Sequence, residues 1–583
     1  MSIFDYKDED AIGSVFSVDT GTVVLRVENV EALRKLQVSH LVALRSSKAG
    51  QHLIGLISKI MRKALAPVLD EDSSEELPEG AVVVENVVRV TLIGTLIDAM
   101  GTKHNVFRRT LETVPEIDAL CFTLEGTRLT AFMKAISRGG QEGQQVLALG
   151  TYTLDEEAEA WLDGNRFFQR HAVIVGSTGC GKSWTLARVL EQAAALPSAN
   201  AILFDIHGEY APLAGSGIQH LRIAGPGDLD GRRGLDDGVV FLPYWLLTYE
   251  EMLAMILDRS DQNAPNQAML FSRAVTAAKR LELEREARED VLANFTIDSP
   301  LPYKMQRVLQ ELHDLDTKRE EGARAGTDRA GEFYGKLTRF IQRLEAKVSD
   351  RRMGFLFGRD GDVPMGYDWM AQLCTRLMAP TGRQAGGGVK IIDFSEVPSD
   401  ILPLMIGLVG RVVFSLQQWS KRGERNPIAL FCDEAHLYIP EQIADSAIAR
   451  AGFQSFERIA KEGRKYGLGL VIISQRPAEV NRTVLSQCNN FVAMRLTNAE
   501  DQSVVKRLLP DSLGGFADIL PVLDTGEALV VGDASLLPSR IRVTPPTIKP
   551  ASATVDFWDE WSKKDAKEGI EAAVEALRRQ SKA

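Results

Sequence analysis

The stretch best suited to chemistry is a glycine-rich loop, GSTGCGKS, at residues 176–183. It follows the apolar run HAVIV and precedes a helix-like segment, the context in which such loops bind nucleoside triphosphates. Glycines let the backbone curl so that N–H groups point at the phosphates, and the following helix presents its positive end to the same anion. Lys182 is expected to reach the β- and γ-phosphates, and the Ser183 hydroxyl to hold Mg²⁺. The predicted nucleotide-binding residues are Gly176, Ser177, Thr178, Gly179, Cys180, Gly181, Lys182, Ser183 and Trp184.

An acidic pair, Asp433 and Glu434, follows a second apolar run, IALFC. Asp433 is expected to bind Mg²⁺ through water. Glu434 is expected to be the catalytic base that orients and deprotonates the attacking water. Together with the phosphate loop, this pair predicts an ATP hydrolase rather than a protein that only binds the nucleotide.

Two further polar positions flank the buried run LGLVIIS at 468–474. Gln475 stands at its carboxyl end, where a polar side chain faces the γ-phosphate in such sheets and can sense its presence. Arg464 precedes the run and is a candidate for an arginine finger that reaches a neighbouring subunit's nucleotide, which is worth about 10³ to 10⁵ in rate. The alternative for Arg464 is a surface residue that stabilises a helix C-terminus.

Three other charged residues are expected near the site, and for each of them a role at the nucleotide and a purely structural role are both open. Asp205 and Glu209, in the segment FDIHGEY, are expected near the phosphate edge of the sheet. Arg170 directly precedes the strand that leads into the phosphate loop. It is expected either to act near the nucleotide or to pair with a carboxylate for structural reasons.

The elements that must position these residues can be read from the apolar pattern. Residues 12–100 contain short runs broken by Gly and Asp, which predicts a small β-barrel, with the acidic segment 70–80 as a solvated hairpin tip. From residue 171 the pattern changes to near-continuous apolar runs separated by helices, which is typical of a parallel sheet covered on both faces. The predicted strands are AVIVG, AILFDI, VKIIDF, IALFCDE and LGLVIIS.

The segment between the second and third of these strands is too long for an ordinary crossover and predicts a helical insertion. The C-terminal tail contains an amphipathic helix with Ile570, Val574 and Leu577 on one face, which must dock on its own chain or on a neighbouring subunit. The predicted fold is therefore an α/β P-loop ATPase core with an N-terminal barrel. Its segments are a barrel at 1–152, core at 153–248, helical insertion at 249–385, core at 386–547 and a helical tail at 548–583.

Composition narrows the functional classes. The chain has 583 residues, 45% of them hydrophobic and 25% charged, and a net charge of −11. This charge argues against a surface coated with basic residues, although a ring needs positive charge only along its channel.

An acidic N-terminus and the absence of a long apolar run predict a cytoplasmic protein without membrane spans. The five cysteines form no C-x-x-C pair, so neither a zinc cluster nor a disulfide framework is indicated.

In combination, these segments resemble the HerA branch of the HerA/FtsK group of ring-forming ATPases. The matching segments are RHAVIVGSTGCGKS, FDIHGEY, VKIIDFSEVPSDI, LFCDEAHLYIP, ERIAKEGRKYGLGLVIISQRPAEV and GEALVVGDASLLPSRIRV. The resemblance implies a RecA-like core and a homohexamer with ATP between subunits and double-stranded DNA in the central channel. It further implies that Arg464 acts in trans, that Arg170 is a second arginine near the site, and that Gln475 is the polar sensor.

Two functions follow from this resemblance. The first is an ATP-driven DNA translocase or helicase that works with a separately encoded nuclease or effector. The second is an ATPase scaffold that regulates an anti-phage defence complex with a nuclease or sirtuin-type effector, without long-range translocation. A membrane-bound conjugation or segregation pump is disfavoured because the sequence has no membrane span.

Overall fold

The apolar runs of the sequence form strands in a computed structural model of the chain. The structure describes the chain except for residues 1–5, 39, 49, 66–82, 98–105, 138–145, 231–232, 322–327, 359–362, 381–386, 444–445, 508–510, 536, 553–554, 564–568 and 582–583. The predicted hairpin tip at 70–80 lies outside the described residues. The chain divides into two compact units, Met1–Val189 with Asn489–Pro545 and Leu190–Cys488 with Pro546–Ala583.

Strands and helices are numbered in chain order over the described residues. The strands are β1 Gly13–Asp19, β2 Thr22–Arg26, β3 Leu41–Arg45, β4 Gln51–Leu65, β5 Val83–Ile97, β6 Val106–Arg108, β7 Leu120–Thr123, β8 Leu147–Tyr152, β9 Asp155–Leu162, β10 Ala172–Val175, β11 Ala201–Asp205, β12 Ile218–Ile223, β13 Val239–Val240, β14 Arg319–Glu321, β15 Asp328–Ala330, β16 Val389–Asp393, β17 Ile428–Cys432, β18 Leu468–Ser474, β19 Asn490–Ala493, β20 Glu527–Gly532 and β21 Ser539–Val543. The α-helices are α1 Val30–Lys35, α2 Gly126–Ser137, α3 Gly164–Gln169, α4 Lys182–Ala194, α5 Tyr249–Ile256, α6 Ala264–Arg285, α7 Glu289–Leu292, α8 Met305–Thr317, α9 Thr338–Ser349, α10 Gly354–Phe357, α11 Trp369–Met378, α12 Leu402–Trp419, α13 Ala447–Glu462, α14 Arg482–Leu485, α15 Ala499–Lys506, α16 Phe557–Trp561 and α17 Ile570–Arg579.

The N-terminal part of the first unit is a closed barrel, as predicted. Its strands follow the order β2-β1-β7-β3-β4-β5, and antiparallel pairing of β2 with β5 closes the ring, while β6 extends β5. Alternate apolar residues point inward, among them Val15, Leu25, Leu44 and Val90, which are fully buried. Closure leaves the six strands without a free edge in the ring, and their inward side chains form one core.

The same unit also contains the strand that leads into the phosphate loop. Strand β10 pairs in parallel with β19, and β19, β20, β21, β8 and β9 then follow in antiparallel pairings. Sequence analysis placed residues 147–152 in the barrel segment, whereas β8 pairs with β21 in this sheet. Within this unit the strand of the phosphate loop is therefore part of a mixed sheet, with antiparallel strands added beside it.

The second unit carries the parallel strands. Their order is β13-β12-β16-β11-β17-β18, and every neighbouring pair is parallel. The predicted strands 201–206, 389–394, 428–434 and 468–474 are confirmed, with their carboxyl ends at one edge. Strand β12 was missed because Gln219, His220 and Arg222 interrupt the apolar pattern, and β13 was missed because it has only two residues, Val239 and Val240. Helices α12 and α13 pack on each other within this unit.

The insertion is helical, as predicted, and contains α5 to α11 with one short hairpin formed by β14 and β15. In the tail, α17 forms where the amphipathic helix was predicted. Its residues Ile570 and Leu577 are exposed, while Ser581 just beyond it donates a hydrogen bond to Glu396 over 3.3 Å. Among the helices of the described residues, none combines the length and the apolar content that a membrane crossing requires.

Candidate active site

The phosphate loop connects β10 to α4 in the first unit. Gly179 and Gly181 have φ values of 75° and 104°, in the left-handed region that side chains with a Cβ disfavour. These two residues turn the chain so that Lys182 becomes the first residue of α4. The Lys182 side chain is buried, with an exposed fraction of 7%, whereas Thr178 and Gly179 at the tip of the loop are exposed.

The base of the loop is fixed by residues that follow β19 and precede β20. The Ser177 N–H donates to the Arg495 carbonyl over 2.9 Å, and the Gly526 N–H donates to the Cys180 carbonyl over 2.9 Å. Met494 fills the space beneath, with its Sδ 3.9 Å from the Cys180 Sγ. These supports were not predicted, since they lie more than 300 residues away in sequence and carry no charge pattern of their own.

Cys180 is buried inside the loop, and burial raises the pKa of its thiol. A Cβ on Gly176 would collide with the Cys180 Sγ and lie 2.8 Å from the Met494 Cβ. The thiol therefore packs the loop from within.

Arg170 ends α3 and lies within the first unit beside Asp533, which follows β20. The Arg170 guanidinium donates to the Asp533 carboxylate, which also accepts from Asn489 Nδ2 over 3.1 Å. Burial alone would raise the pKa of Asp533, but the hydrogen bonds from Asn489 and Arg170 lower it below its usual value. Arg170 thus has the carboxylate partner that one of the two interpretations expected, and a role near a nucleotide stays a prediction.

Asp433 and Glu434 come directly after β17 in the second unit, so they lie at the carboxyl edge of its parallel strands. Both side chains are buried, with exposed fractions of 4% and 6%. The Asp433 carbonyl accepts a hydrogen bond from the buried Tyr438 hydroxyl over 3.0 Å. Glu434 has φ 45° and ψ 44°, a left-handed conformation that is uncommon for a residue with a Cβ.

Gln475 and Glu434 are joined directly, because β17 and β18 are parallel neighbours and both residues follow a strand end. Gln475 Nε2 donates to Glu434 Oε1 over 2.6 Å. On the other oxygen, His436 Nδ1 lies 3.3 Å from Glu434 Oε2 and 3.5 Å from the buried Ser474 Oγ. Gln475 was predicted at this edge from the sequence, whereas His436 was not, although its position two residues after the glutamate was a signal.

Arg464 lies in the 3₁₀ turn Gly463–Tyr466 that follows α13. Its side chain is exposed and makes no hydrogen bond or ion pair within the described part of the chain.

Asp205 is fully buried at the end of β11 and accepts hydrogen bonds from the N–H groups of Gly208, Glu209 and Tyr210, so it fixes the turn after that strand. Burial raises its pKa. Glu209 is half-buried in that turn.

The residues present fit ATP with Mg²⁺. The phosphate loop combines a buried lysine, two left-handed glycines and the start of a helix, which is the donor set that holds phosphate oxygens. Ser183 and Asp433 supply hydroxyl and carboxylate oxygens, the ligand type that Mg²⁺ prefers. Lys182 and Ser183 are therefore the residues of the first unit that would hold the phosphates and the metal, and a role of Asp433 as a metal ligand stays a prediction.

Comparisons with known proteins agree with this chemistry. Residues 147–362 match the family model described as the central domain of helicase HerA. The chain is 24% identical over 409 residues to the DNA double-strand break repair helicase HerA of Sulfolobus acidocaldarius, covering 70% of this chain and 71% of that protein. It is 25% identical over 562 residues to a probable helicase of Methanocaldococcus jannaschii, covering 90% and 96% of the two chains.

Solved structures with a similar arrangement include the plasmid coupling protein TrwB in complex with ADP and Mg²⁺. It is 13% identical, with coverage of 74% of this chain and 94% of that one and a TM-score of 0.44. VirB4 of Thermoanaerobacter pseudethanolicus is 16% identical, with coverage of 69% and 97% and a TM-score of 0.43.

The phosphate loop, the acids after β17 and the strand pattern define a P-loop ATPase with a RecA-like core and an N-terminal barrel. Within that class, the chain is similar to the HerA-type ATPases of the HerA/FtsK superfamily, through the family model over residues 147–362 and through relatives at 24–25% identity. It is an ATP-hydrolysing enzyme.

Proposed function

We propose that this protein is an ATP-driven translocase or helicase of double-stranded DNA that works as a homohexameric ring. The observation that carries the proposal is the buried Glu434 carboxylate held by Gln475 at the end of neighbouring strands. A protein that only binds nucleotide has no need of an oriented, buried carboxylate beside its acidic metal ligand. The names of the HerA relatives, which are repair helicases, support DNA as the polymer.

In this proposal each residue of the site has one task. Lys182 and the loop N–H groups bind and orient the phosphates, and Ser183 and Asp433 hold Mg²⁺. Glu434 accepts a proton from the attacking water at its carboxylate, and Gln475 orients that carboxylate. ATP and Mg²⁺ supply the phosphoanhydride bond and the charge neutralisation when they are bound.

Arg464 is proposed to act on the nucleotide of a neighbouring subunit. Its exposed guanidinium, on a turn after α13, is compatible with a reach across a subunit boundary. Mixing Arg464→Ala with Lys182→Ala subunits should then restore activity at hybrid interfaces, because one subunit retains the phosphate loop and the other the arginine. Well-mixed hexamers without any recovery would contradict the trans role. Arg170 is proposed as a second arginine near the same nucleotide.

A separately encoded nuclease or defence effector is proposed as the partner of the ring, and the cytoplasm as its location. The structure contains two features that suit partner selection, the barrel and the helical insertion, which lie outside the strands that carry the site residues.

The proposal is tested by the ATPase rate of the purified chain with and without linear double-stranded DNA, with Glu434→Gln as the blank. We expect the variant to bind ATP without turnover and the wild type to be stimulated by DNA ends or length. Residual hydrolysis by Glu434→Gln would overturn the assigned base. A DNA-independent rate together with the absence of directional movement on single DNA molecules would overturn translocation and favour the alternative, an ATPase that gates a defence effector.

A further inference from the structure

The segment that follows β19 carries an arginine beside the phosphate loop. Strands β10 and β19 are parallel neighbours, with Val175 paired with Ala493 at their ends. The loop begins with Gly176 directly after β10, and Arg495 stands two residues after the end of β19. Parallel strands bring their carboxyl ends to the same edge of a sheet, and this is the edge at which α/β folds bind ligands. Arg495 therefore shares that edge with the phosphate loop, inside one compact unit of the chain.

The backbone fixes Arg495 to the first turn of the loop. Its carbonyl accepts a hydrogen bond from the Ser177 N–H over 2.9 Å, and the N–H of the preceding Met494 donates to the Val175 carbonyl over 2.8 Å. The Met494 side chain packs under the loop, where a Cβ on Gly181 would lie 3.1 Å from its Cε. Arg495 thus keeps a fixed position relative to the loop whichever side chain it carries.

The Arg495 side chain is a cation without a counter-charge. It is partly buried, and among the residues that the structure describes none gives it a hydrogen bond, an ion pair or an aromatic contact. Arg170 in the same unit differs, because its guanidinium donates to Asp533. A guanidinium is always charged, and partial removal of a charge from water is costly unless an opposite charge compensates it. An anion at the loop would supply that compensation.

The charge of Arg495 also acts on the interior of the loop. Burial raises the pKa of the Cys180 thiol, and this rise is opposed by the Lys182 backbone and by the positive charges of Lys182 and Arg495. The loop is therefore close to two cationic side chains, the lysine of its own sequence and the arginine after β19. Both belong to the same unit, so they lie near the same nucleotide site of one chain.

We propose that Arg495 is a further nucleotide-binding residue that acts in cis, with its guanidinium paired to the phosphate chain held by Lys182 and the loop N–H groups. The inference rests on the proposed function, because it concerns the nucleotide site of the same enzyme. A guanidinium presents its N–H groups as a planar fork that matches two phosphate oxygens. Arg495 differs in this respect from Arg464, whose proposed role depends on a neighbouring subunit. Its loss should weaken nucleotide binding even in a chain that does not assemble.

The decisive variants are Arg495→Met and Arg495→Lys, with Lys506→Met as the matched control. Methionine removes the charge and keeps the backbone carbonyl that binds Ser177, whereas lysine keeps the charge without the fork. We expect the Kd for a fluorescent ADP analogue with Mg²⁺ to rise about 10- to 100-fold in Arg495→Met, the loss of a charge-assisted contact, and less in Arg495→Lys. Lys506→Met also removes one positive charge, from the ion pair with Asp518 on the helix that follows, and should leave the Kd unchanged. The same Kd in wild type and Arg495→Met would refute the proposal.

Competition experiments identify the part of the nucleotide that Arg495 binds. Inorganic tripolyphosphate should displace the analogue from wild type, and its affinity should fall in Arg495→Met as that of ADP does. An unchanged affinity for tripolyphosphate would contradict pairing with phosphate and indicate the base or the sugar. Unchanged ADP binding combined with weaker binding of double-stranded DNA would assign Arg495 to the polymer and likewise contradict the proposal.

A measurement on the wild-type chain does not depend on the folding of any variant. Phenylglyoxal modifies accessible guanidinium groups, and peptide mapping by mass spectrometry follows the modification of Arg495. We expect saturating ADP with Mg²⁺ to protect Arg495, and adenosine at the same concentration to leave it reactive. Modification of Arg495 at one rate with and without ADP would overturn the proposal even if Arg495→Met proved unstable.

The outcomes separate this inference from the proposed function. A wild-type chain that neither binds nor hydrolyses ATP, or an active Glu434→Gln variant, would remove the proposed function itself. A wild type with normal turnover and an inactive Glu434→Gln, combined with unchanged ADP affinity in Arg495→Met, would remove only the role of Arg495.

Discussion

Gln475 Nε2 donates a hydrogen bond of 2.6 Å to Glu434 Oε1, between residues that follow adjacent parallel strands. The pair joins the predicted sensor of the γ-phosphate to the predicted base. The hydrogen bond from the amide stabilises the ionised carboxylate and restricts its rotation. The position of the Gln475 amide therefore affects the orientation of the Glu434 carboxylate toward the attacking water.

Replacement of Gln475 should therefore change catalysis more than binding. In Gln475→Ala the Glu434 carboxylate loses its shortest described contact, and we expect kcat for ATP to fall by about 10- to 100-fold while the affinity for a fluorescent ADP analogue is retained. Gln475→Glu provides the matched control, since it keeps the size but places a like charge beside Glu434. It should be at least as impaired as Gln475→Ala. Equal turnover in wild type and both variants would contradict a link between this pair and hydrolysis.

The left-handed backbone of Glu434 gives a prediction on stability. Glycine accepts φ 45° without the steric cost that a Cβ imposes, about 1 kcal/mol. Glu434→Gly should consequently unfold at higher denaturant concentration than Glu434→Ala, although glycine normally destabilises relative to alanine, and both variants should lack turnover. The comparison is made by urea unfolding followed by tryptophan fluorescence. An alanine variant that is the more stable of the two would show that the left-handed conformation is not retained.

Strand ends were the part of the site that the sequence could predict. The acids after IALFC and the glutamine after LGLVIIS follow buried apolar runs, and parallel neighbours bring such positions to one edge. The contact between Glu434 and Gln475 then follows from topology. In the barrel, alternating apolar residues were sufficient to predict strands, and its closure required the β2–β5 pairing that only the structure provides.

Contacts between remote positions could not be predicted. Arg170 and Asp533 are 363 residues apart, and the quoted segment GEALVVGDAS contained the aspartate without any sign of its partner. Likewise, Met494 supports the phosphate loop through packing, which leaves no periodic pattern in sequence. Strand β12 was not predicted because its polar residues interrupt the apolar pattern from which strands are recognised. A sheet nevertheless accepts polar side chains that have hydrogen-bond or ion-pair partners.

The Arg170–Asp533 pair allows the two roles of Arg170 to be separated. Both partners are partly exposed, with exposed fractions of 39% and 24%, so the pair should contribute no more than about 1 kcal/mol to folding. Arg170→Ala and Asp533→Ala should lower the unfolding free energy by similar, small amounts. If Arg170 also acts at a nucleotide, only Arg170→Ala should lower kcat strongly, which a parallel ATPase assay of the two variants measures. Equal kcat in both variants would assign Arg170 a structural role alone.

Lys390 provides a pH-dependent prediction in the second unit. It is fully buried on β16, where its ammonium donates to Asn200 Oδ1 over 2.9 Å and to the Ala379 carbonyl over 2.7 Å. Burial, with a further contribution from Arg376, lowers the pKa of Lys390 to about 7 from the usual 10.5. The folded chain thus binds fewer protons at this site than the unfolded chain between these two pH values.

The sign of the effect follows from this difference. Below about pH 7 Lys390 is protonated in both the folded and the unfolded state, and the cost of burying its charge is fully present. Between about pH 7 and 10.5 only the unfolded state keeps the proton. The free energy of unfolding therefore rises with pH in this range, by an amount on the order of a few kcal/mol.

Lys390→Met should remove this rise in stability. It should also add a pH-independent cost, because the Asn200 and Ala379 oxygens lose their donor. Lys279, whose pKa burial lowers to about 8, is the matched control, and Lys279→Met should remove a smaller rise that starts at higher pH. The measurement is urea unfolding from pH 6.5 to 9.5 in the three proteins, and parallel pH profiles for wild type and Lys390→Met would show that Lys390 keeps an ordinary pKa.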